Sequence, residues 1–419
     1  MNIFESFTRG FIGEPAILLG AITCIGLLLA RAGFFRVLSG TVKVMVGVTL
    51  LQIGASAANV SLSNLAVMIQ DSFNMIGMIP HNEAITALVQ INYGREIAIT
   101  ISIGMVGHLL IARFTRLKYV FLSGHQVLFM SAVIVAVLHA SQYGWWLYIF
   151  GGFVLALMMS CMPALVQPFV KRVTGDDSIA IGHFNSVGYY MTGMLSTSLF
   201  KRKEEKADFP KFIRKLEPFM YDHVLIISIF SFLLFFIAAI FAQRDAIQYL
   251  FNDQNFIIFV IVQSLWFTAG MYCILTGVRM MIAEILPAFE GVSSRWIKGS
   301  VPALDAPVLF NYAPLAAMVG FILSFLGGLG VMFGMAAVQY TIIIPGVIPH
   351  FFSGGAAGVI AYKLRGIKAL VCMSIVHGMV ITILPIPLLS YLRDLGYTRT
   401  TFGDTDLQLI GILIGWLVQ

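Results

Sequence analysis

The sequence predicts an all-α polytopic membrane protein, and the placement of its charges is the first reason. Only 26 of 419 residues are Lys or Arg and 20 are Asp or Glu, and residues 224–242, 256–278 and 306–339 contain none of them. A transmembrane helix needs about 20 mostly apolar residues to cross a hydrocarbon core of about 30 Å. These runs are continuously apolar, whereas the strands of a membrane barrel alternate over about ten residues, so helices are favoured.

The apolar runs predict about ten crossings by this length rule. Composition agrees, because hydrophobic residues make up 59% of the chain and charged residues 11%, against about one half and one quarter in soluble domains. A final short run at 407–419 would be an eleventh crossing. The predicted spans are 14–30, 37–58, 96–112, 119–139, 145–170, 220–242, 255–281, 313–338, 341–361 and 367–391.

The one long hydrophilic insert, residues 201–217, divides the chain almost in half. It holds seven basic residues against four acidic ones, so the excess of Lys and Arg in cytoplasmic loops of membrane proteins predicts that it is cytoplasmic. The expected organisation is an N-terminal membrane half (1–200), a basic linker (201–217) and a C-terminal membrane half (218–419).

Four stretches of intermediate polarity fit neither a simple helix nor an ordinary loop. Each mixes Gly, Pro and isolated polar groups with apolar residues, and irregular backbone at membrane depth survives only inside protein or beside a wet cavity. Re-entrant hairpins and broken helices are the expected structures. The stretches are 76–95, 174–194, 284–312 and 345–358.

A faint internal repeat relates the two halves. Residues 38–56 (LSGTVKVMVGVTLLQIGAS) match 275–293 (LTGVRMMIAEILPAFEGVS) at two glycines and a serine with one offset, and Asn92-Tyr93 is repeated at Asn311-Tyr312. Secondary transporters are often built from two inverted repeats with the binding site at their interface. An odd number of crossings between the copies would invert the second.

The sequence lacks the motifs of several classes of function. The four cysteines are far apart, without metal-ligand spacing. There is no Walker A loop, no dinucleotide-binding glycine motif, no HExxH and no TVGYG-like filter. We therefore expect neither a cofactor nor a metal. The net charge of +6 indicates basic cytoplasmic loops rather than nucleic-acid binding.

Two Gly-His pairs are candidate ligand contacts. His125 stands at the head of an apolar run in LSGHQVLFM, and His183 lies in the intermediate stretch IGHFNS. An ionisable group within a membrane costs at least about 2.5–3.5 kcal/mol and needs a partner, a cavity or a function. A neutral imidazole offers one donor and one acceptor, which match a sugar hydroxyl. The alternative is a histidine bonded to a carbonyl of a neighbouring helix.

Asp305 is the candidate anionic group, placed between Pro302 and Pro307 in VPALDAPVLF. A broken helix at this point would direct the carboxylate into a cavity, where it could accept hydroxyl donors or couple protons. A structural salt bridge to Lys298 or Arg295 is the alternative.

A polar hairpin tip is expected at IPHNEAIT, where Asn82 and Glu83 follow Pro80. A solvated loop is its alternative. Glu284 and Glu290 are expected to form structural pairs with Arg279 or Arg295. His350 follows a proline before a glycine-rich run through which backbone could approach a ligand. We expect structural roles for the remaining histidines, His108, His139, His223 and His377.

The combination of these stretches resembles the membrane (IIC) component of ascorbate-type phosphotransferase systems. The block from the TGVRMMIAEIL segment to LDAPVLFNYAP is the most specific match. The resemblance covers most of the chain, in the family's order, at 40–56 (GTVKVMVGVTLLQIGAS), 122–129 (LSGHQVLF), 178–186 (SIAIGHFNS), 276–314 and 342–361 (IIIPGVIPHFFSGGAAGVIA).

The resemblance implies a homodimer in a bacterial inner membrane, in which a substrate-carrying core moves against a V-shaped scaffold. It also implies that a separate IIB protein, supplied by IIA, phosphorylates the sugar or sugar acid. No IIB-like phosphocysteine loop occurs in this chain, so whether it is itself an enzyme stays open. His125, His183, Asp305, Asn82 and Glu83 would contact the substrate.

Two positions depart from the ascorbate pattern. That family typically carries Gln four residues after the first Gly-His and directly after the second, where this chain has Phe129 and Phe184. A site built for hydrogen bonds discriminates strongly when they are lost. We therefore expect weak or no ascorbate binding, and a gain when both are changed to Gln.

Two functions remain open. The first is a permease of the phosphotransferase system for a sugar or sugar acid. The second is a proton- or ion-coupled transporter of a small polar solute, with Asp305 or Glu83 as the coupling group.

Overall fold

The computed structural model describes residues 14–73, 77–140, 146–201, 222–242, 255–338, 340–392 and 400–418. The helices are α1 (Pro15–Leu29), α2 (Phe34–Phe73), α3 (Asn82–Phe114), α4 (Gly124–Ala140), α5 (Trp146–Thr174), α6 (Ser186–Leu199), α7 (His223–Phe241), α8 (Phe256–Trp296), α9 (Pro314–Ala337), α10 (Gly355–Arg365), α11 (Ile367–Ile383), α12 (Pro385–Leu392) and α13 (Thr405–Val418). Short strands are β1 (Gly77–Pro80), β2 (Tyr119–Phe121), β3 (Ala180–Ile181), β4 (Val301–Leu304), β5 (Ile342–Ile343) and β6 (Thr400–Thr401).

The predicted fold class is confirmed: the protein is an all-α polytopic membrane protein. Among the described residues, six helices are long and apolar enough to cross a membrane, and three shorter apolar helices accompany them. Large apolar side chains such as Phe35, Phe241 and Trp266 are exposed on the outside of these helices, where lipid would cover them. The expected total of ten or eleven crossings stays a prediction.

The six strands form two small parallel sheets, and each sheet combines strands from both halves of the sequence. β4 lies between β2 and β3, with Phe121 and Ala180 both opposite Ala303. β1 lies between β5 and β6, with Gly77 opposite Ile342 and Pro80 opposite Thr401. Each central strand therefore takes both of its partners from the other side of the basic insert.

The two sides of the insert also run through the same order of elements. A long helix (α2 or α8) precedes a strand, a further long helix, a second strand, more helices, a third strand and a last short helix. The faintly repeated segments 38–56 and 275–293 lie within α2 and α8. This shared order favours the internal repeat, which stays a prediction, as does the inversion of its second copy.

Small residues bring α2 and α8 into close contact. A Cβ on Gly47 would lie 2.8 Å from the carbonyl oxygen of Gly277, and one on Gly270 would lie 2.6 Å from that of Gly54. Helices in membranes associate through such small residues because close backbone packing replaces the hydrophobic effect. α1 and α7 pack on the same pair, so α1, α2, α7 and α8 form one group of helices.

The structure corrects two of the predicted segments. Residues 341–361, predicted as one span, consist of β5, a helical turn Val347–Pro349, a π-helical turn His350–Gly354 and α10. Residues 284–312, predicted as irregular, begin as a regular continuation of α8 through Pro287 and become irregular only after Trp296. The other two intermediate stretches contain β1 with the start of α3, which is kinked at Tyr93, and β3 with the start of α6.

Basic residues gather at one end of the molecule. α3, α5 and α8 all end beside the β2–β4–β3 sheet, and Arg113 donates to the carbonyl of Trp296 there, while the Lys118 ammonium donates to the carbonyls of Ala112 and Arg113. This end also carries Arg116, Lys171, Arg172 and Lys298. Because Lys and Arg are enriched on the cytoplasmic side of membrane proteins, this end of the molecule is predicted to face the cytoplasm.

Impermeant thiol reagents test this orientation in a background without the native cysteines. Cysteines placed at Lys298, and at Lys206 outside the described residues, should resist labelling from outside intact cells and react after permeabilisation. A cysteine at Val338, which is exposed after α9 at the opposite end, should react from outside. The reverse pattern would invert the topology.

Candidate functional site

The candidate site begins where β2, β3 and β4 end. His125 starts α4 after β2, His183 follows β3, and Asp305 follows β4. Because β4 is paired on both sides, the parallel register carries the three chain segments to the same point. Two chain segments from the first 200 residues thus meet one from the second part of the sequence.

Asp305 is the centre of this cluster. One carboxylate oxygen lies 2.7 Å from His183 Nδ1 and accepts from the Ala306 N–H at 2.8 Å, and the other lies 3.3 Å from His125 Nε2. The Asp305 side chain is buried. A carboxylate buried with such partners keeps its hydrogen-bonding capacity satisfied. The structure therefore brings His125, His183 and Asp305 together, and Asp305 contacts the histidines rather than Lys298.

The second sheet supplies the other side of the cluster. Asn82 follows β1 and Asp404 follows β6, and the Asn82 amide donates to Asp404 at 2.6 Å. Asn82 also accepts from the Gly403 N–H at 2.7 Å. Ser353, in the π-helical turn, donates to Asp404 at 2.5 Å and lies 3.1 Å from His183 Nε2. His183 therefore lies between Asp305, which follows a strand of the first sheet, and Asp404, which follows a strand of the second.

These groups surround one small cavity, whose free volume of about 20 Å³ is enough for about one water molecule. Seven of the lining side chains are polar and four are apolar. The lining residues are Asn82, Glu83, His125, Gln126, Phe129, His183, Asp305, Ile348, Pro349, Phe352 and Asp404. Among the described residues, no group of three or more His, Cys, Asp or Glu side chains is placed to hold a metal ion.

Phe184, unlike Phe129, does not line the cavity. Its fully buried ring stacks on Phe121, with ring centroids 4.7 Å apart, and its backbone N–H donates to the Gln126 side chain at 3.1 Å. Phe129 lines the cavity and packs edge-to-face with His125. Glu83 lies 3.1 Å from His81 Nδ1. Six of the seven predicted site residues thus meet at the cavity.

The helices α6 and α13 cap each other directly behind the cluster. The Asp406 carboxylate of α13 accepts from the Ser186 and Val187 N–H groups at 2.8 and 2.9 Å. In return, Asn185 accepts from the Thr405 N–H at 3.0 Å. The first turn of a helix leaves N–H groups without partners in the helix. Reciprocal capping satisfies them and fixes the segments that carry His183 and Asp404.

Comparison with models of protein families identifies the family of this chain. The model of the EIIC-GAT family, described as the PTS system sugar-specific permease component, matches residues 10–406. The chain belongs to this family.

One curated relative of this EIIC-GAT chain is the ascorbate-specific PTS system EIIC component of Mycoplasma pneumoniae. The two are 25% identical over 424 residues, which cover 88% of this chain and 64% of the relative. The chain thus spans just under two thirds of the relative's length. Both comparisons confirm the resemblance seen in the sequence.

Four other histidines of this family member contact side chains that do not line the cavity. His108 contacts Ser160 and accepts from the Phe121 N–H, and His377 contacts Asn185. His350 is buried between Ser324 and Thr382. The ring of His139 packs on Tyr93. His223's side chain lies outside the described residues.

Glu284 pairs with Arg36 and Lys43 across the α2–α8 interface, at 2.7 and 3.1 Å, and the side chain of Arg295 lies outside the described residues. Its pairing is structural, as expected, but its partners come from the other end of the sequence. The side chain of Glu290 lies outside the described residues.

Sequence reasoning missed several groups at this site. Asp404 lies in GDTD, before a short apolar run, and reads as a solvated loop. Gln126 directly follows a predicted site histidine, and this adjacency could have indicated it. Ser353 and Phe352 lie in the glycine-rich stretch 345–358, in which only His350 was singled out.

Replacing Asp406 should test the reciprocal cap. Asp406→Ala leaves the Ser186 and Val187 N–H groups, one buried and one partly buried, without an acceptor and should lower the free energy of unfolding by about 2–4 kcal/mol. Asp406→Asn should recover part of this loss, since an amide oxygen still accepts. Unfolding in detergent measures the difference.

The exposed Asp177, which pairs with Lys171, provides the control. Asp177→Ala should cost at most about 1 kcal/mol. Equal losses for the two alanine variants would show that the Asp406 contacts do not stabilise the fold.

Proposed function

We propose that this chain is the IIC component of a phosphotransferase system and carries a sugar or sugar acid across a bacterial inner membrane, with phosphorylation by a separate IIB protein. The observation that carries the proposal is the buried polar cavity around His125, His183 and Asp305, in a chain of the sugar-specific permease family. A cavity lined by both hydrogen-bonding and apolar side chains suits a ligand with hydroxyl groups and C–H faces.

In the proposed mechanism, Asp305 accepts hydrogen bonds from substrate hydroxyl groups while the two histidines orient its carboxylate. Asn82 and Glu83 contact the ligand from the β1 side, and Phe129 contacts a C–H face. Because hydrogen bonds link the polar residues of the cluster to one another, a ligand must replace some of these bonds with its own. Such exchange favours a ligand with several hydroxyl groups.

The proposed organisation separates a scaffold from a moving core. The group α1, α2, α7 and α8 forms the scaffold of a homodimer in this proposal, and the two sheets with their helices form the core that carries the cavity. The division into halves at the 201–217 linker is part of the same proposal. IIA and IIB are the proposed protein partners, since the phosphoryl group must reach the sugar from another chain.

Transport by purified protein in liposomes tests the function. With phosphorylated IIB enclosed, labelled sugar should accumulate as its phosphate, and an imposed proton gradient alone should give no accumulation. Asp305→Asn should weaken substrate binding at least about tenfold, as expected for a lost hydrogen bond to a charged group.

The exposed Asp176 offers a matched control, and Asp176→Asn should bind and transport normally. Accumulation that needs a proton gradient and no phosphoryl donor would instead favour the ion-coupled transporter. That alternative draws on the carboxylates Glu83 and Asp305 in the cavity.

The two phenylalanines predict different responses to glutamine. Phe129→Gln places an amide in the cavity and should raise ascorbate affinity by about 1 kcal/mol if one new hydrogen bond forms. Phe184→Gln buries an amide against Phe121 and should destabilise the fold by about 1–3 kcal/mol without that gain. Calorimetry and thermal unfolding separate the two effects. Tight ascorbate binding by the native protein would contradict the expected role of Phe129.

A further inference from the structure

An ion cluster at the interface of α2 and α8 has no part in the transport mechanism proposed above. The Glu284 carboxylate of α8 lies 2.7 Å from the Arg36 guanidinium and 3.1 Å from the Lys43 ammonium of α2. The Glu284 side chain is only 6% exposed, whereas the Arg36 and Lys43 side chains are 44% and 51% exposed. The acid is therefore enclosed between the helices, while both cations reach the outer surface of α2.

One carboxylate does not use the full binding capacity of two cations. Gly40 lies between Arg36 and Lys43 on the same face of α2, and a Cβ there would lie 3.2 Å from Glu284 Oε2, so the glycine leaves room for the shared carboxylate. A guanidinium carries five N–H donors and an ammonium carries three. In the described part of this interface, the cluster therefore keeps a positive charge, and its cations have donors beyond their contacts with Glu284.

The surface of α2 beside the two cations is apolar and exposed. Its residues are spaced three or four apart, which places them on one face of the helix. They are Phe35, Leu38, Val42 and Val46. In a membrane, acyl chains would cover such a face, and the anions at its border would be the headgroups of anionic phospholipids.

The cluster lies toward the end of the molecule that is predicted to face the cytoplasm. α2 and α8 run antiparallel, since Gly47 lies against Gly277 and Gly54 lies against Gly270. The start of α2 therefore lies beside the last part of α8, which ends among the basic residues. Lys43 is roughly 14 Å along the axis from the start of α2, at a rise of about 1.5 Å per residue. Long basic side chains extend from such depths toward the headgroups, so a phosphate of the inner leaflet is within reach.

We propose that Arg36 and Lys43 bind the phosphate of an anionic phospholipid of the inner leaflet, and that Glu284 limits the affinity of this site. The two cations supply charge and hydrogen-bond donors to the phosphate, and the apolar face of α2 contacts the acyl chains. Basic pockets between transmembrane helices on the cytoplasmic side bind anionic headgroups in this way. Each cation near an anionic headgroup is expected to change the binding constant about fivefold.

Native mass spectrometry of the purified full chain in a neutral detergent tests the site. Phosphatidylglycerol and phosphatidylcholine with the same acyl chains differ in the net charge of their headgroups. The native protein should bind the first molecule of phosphatidylglycerol at least about fivefold more tightly than the first molecule of phosphatidylcholine. Equal binding of the two lipids would overturn the proposal.

Substitutions that remove one charge assign the lipid preference to this cluster. Arg36→Gln and Lys43→Gln should each lower the preference for phosphatidylglycerol about fivefold, and each leaves Glu284 paired with the other cation. Lys298→Gln removes an exposed cation at the same end of the molecule and should leave the preference unchanged. An unchanged preference in both the Arg36→Gln and the Lys43→Gln protein would exclude the cluster as the lipid site.

Glu284→Gln separates a lipid site from a purely structural ion cluster. This change removes the carboxylate that competes with the lipid phosphate, so the preference for phosphatidylglycerol should rise severalfold. A purely structural cluster predicts no increase, and a folded Glu284→Gln protein without one would contradict the proposal. If this variant fails to fold, the two cation variants still decide.

Two other occupants of the site would give different results. Displacement of phosphatidylglycerol by millimolar inorganic phosphate would show a site for free phosphate rather than for a lipid. Loss of an oligomer with an unchanged lipid preference, in the Arg36→Gln and Lys43→Gln proteins, would show that the cations contact a second copy of the chain. Either result would overturn the lipid assignment and leave the proposed transport function standing.

Discussion

The need of buried backbone for hydrogen-bond partners governs this structure. β1 and the inner parts of β2, β3 and β4 are buried, and a buried N–H or C=O group left without a partner costs as much as a lost hydrogen bond. A single strand cannot form hydrogen bonds between its own backbone groups, as a helix does, so each strand needs a partner strand. Pairing β4 with β2 and β3, and β1 with β5 and β6, meets the requirement. The site exists where it does because the polar residues directly follow those strands.

Three buried aspartates are accommodated in three different ways. Asp305 faces two imidazoles, Asp404 accepts from an amide and a hydroxyl, and Asp406 accepts backbone N–H groups at the start of α6. Burial of an ionised carboxylate is costly unless such partners are present. The contacts of Asp406 join the first turns of two helices, which indicates a structural role for this residue. Those of Asp305 and Asp404 border open space, where a ligand could exchange for them.

Much of the cluster was predictable because isolated ionisable groups are conspicuous in an apolar chain. His125, His183 and Asp305 were indicated in this way, and the confirmed fold class followed from the charge-free runs. The strands were not predictable, because segments of two to four residues carry almost no periodicity and their partners lie far away in sequence. The direction of Phe184 was equally hidden, since its place in a motif does not tell which way its ring packs. The aspartates of GDTD lacked the apolar context that makes a charge conspicuous.

The strand exchange also limits how the protein could move. A rotation of the first 200 residues against residues beyond 218 would separate β4 from both neighbours and β1 from both of its own, and would break the reciprocal cap of α6 and α13. Each buried hydrogen bond lost without replacement costs about 1–3 kcal/mol, so such a motion would be prohibitive. The helices α1, α2, α7 and α8 contribute no strand to either sheet. A displacement of these helices would keep both sheets and the cavity intact. Access to the two faces of the membrane is therefore expected from movement of the interlocked core as one body.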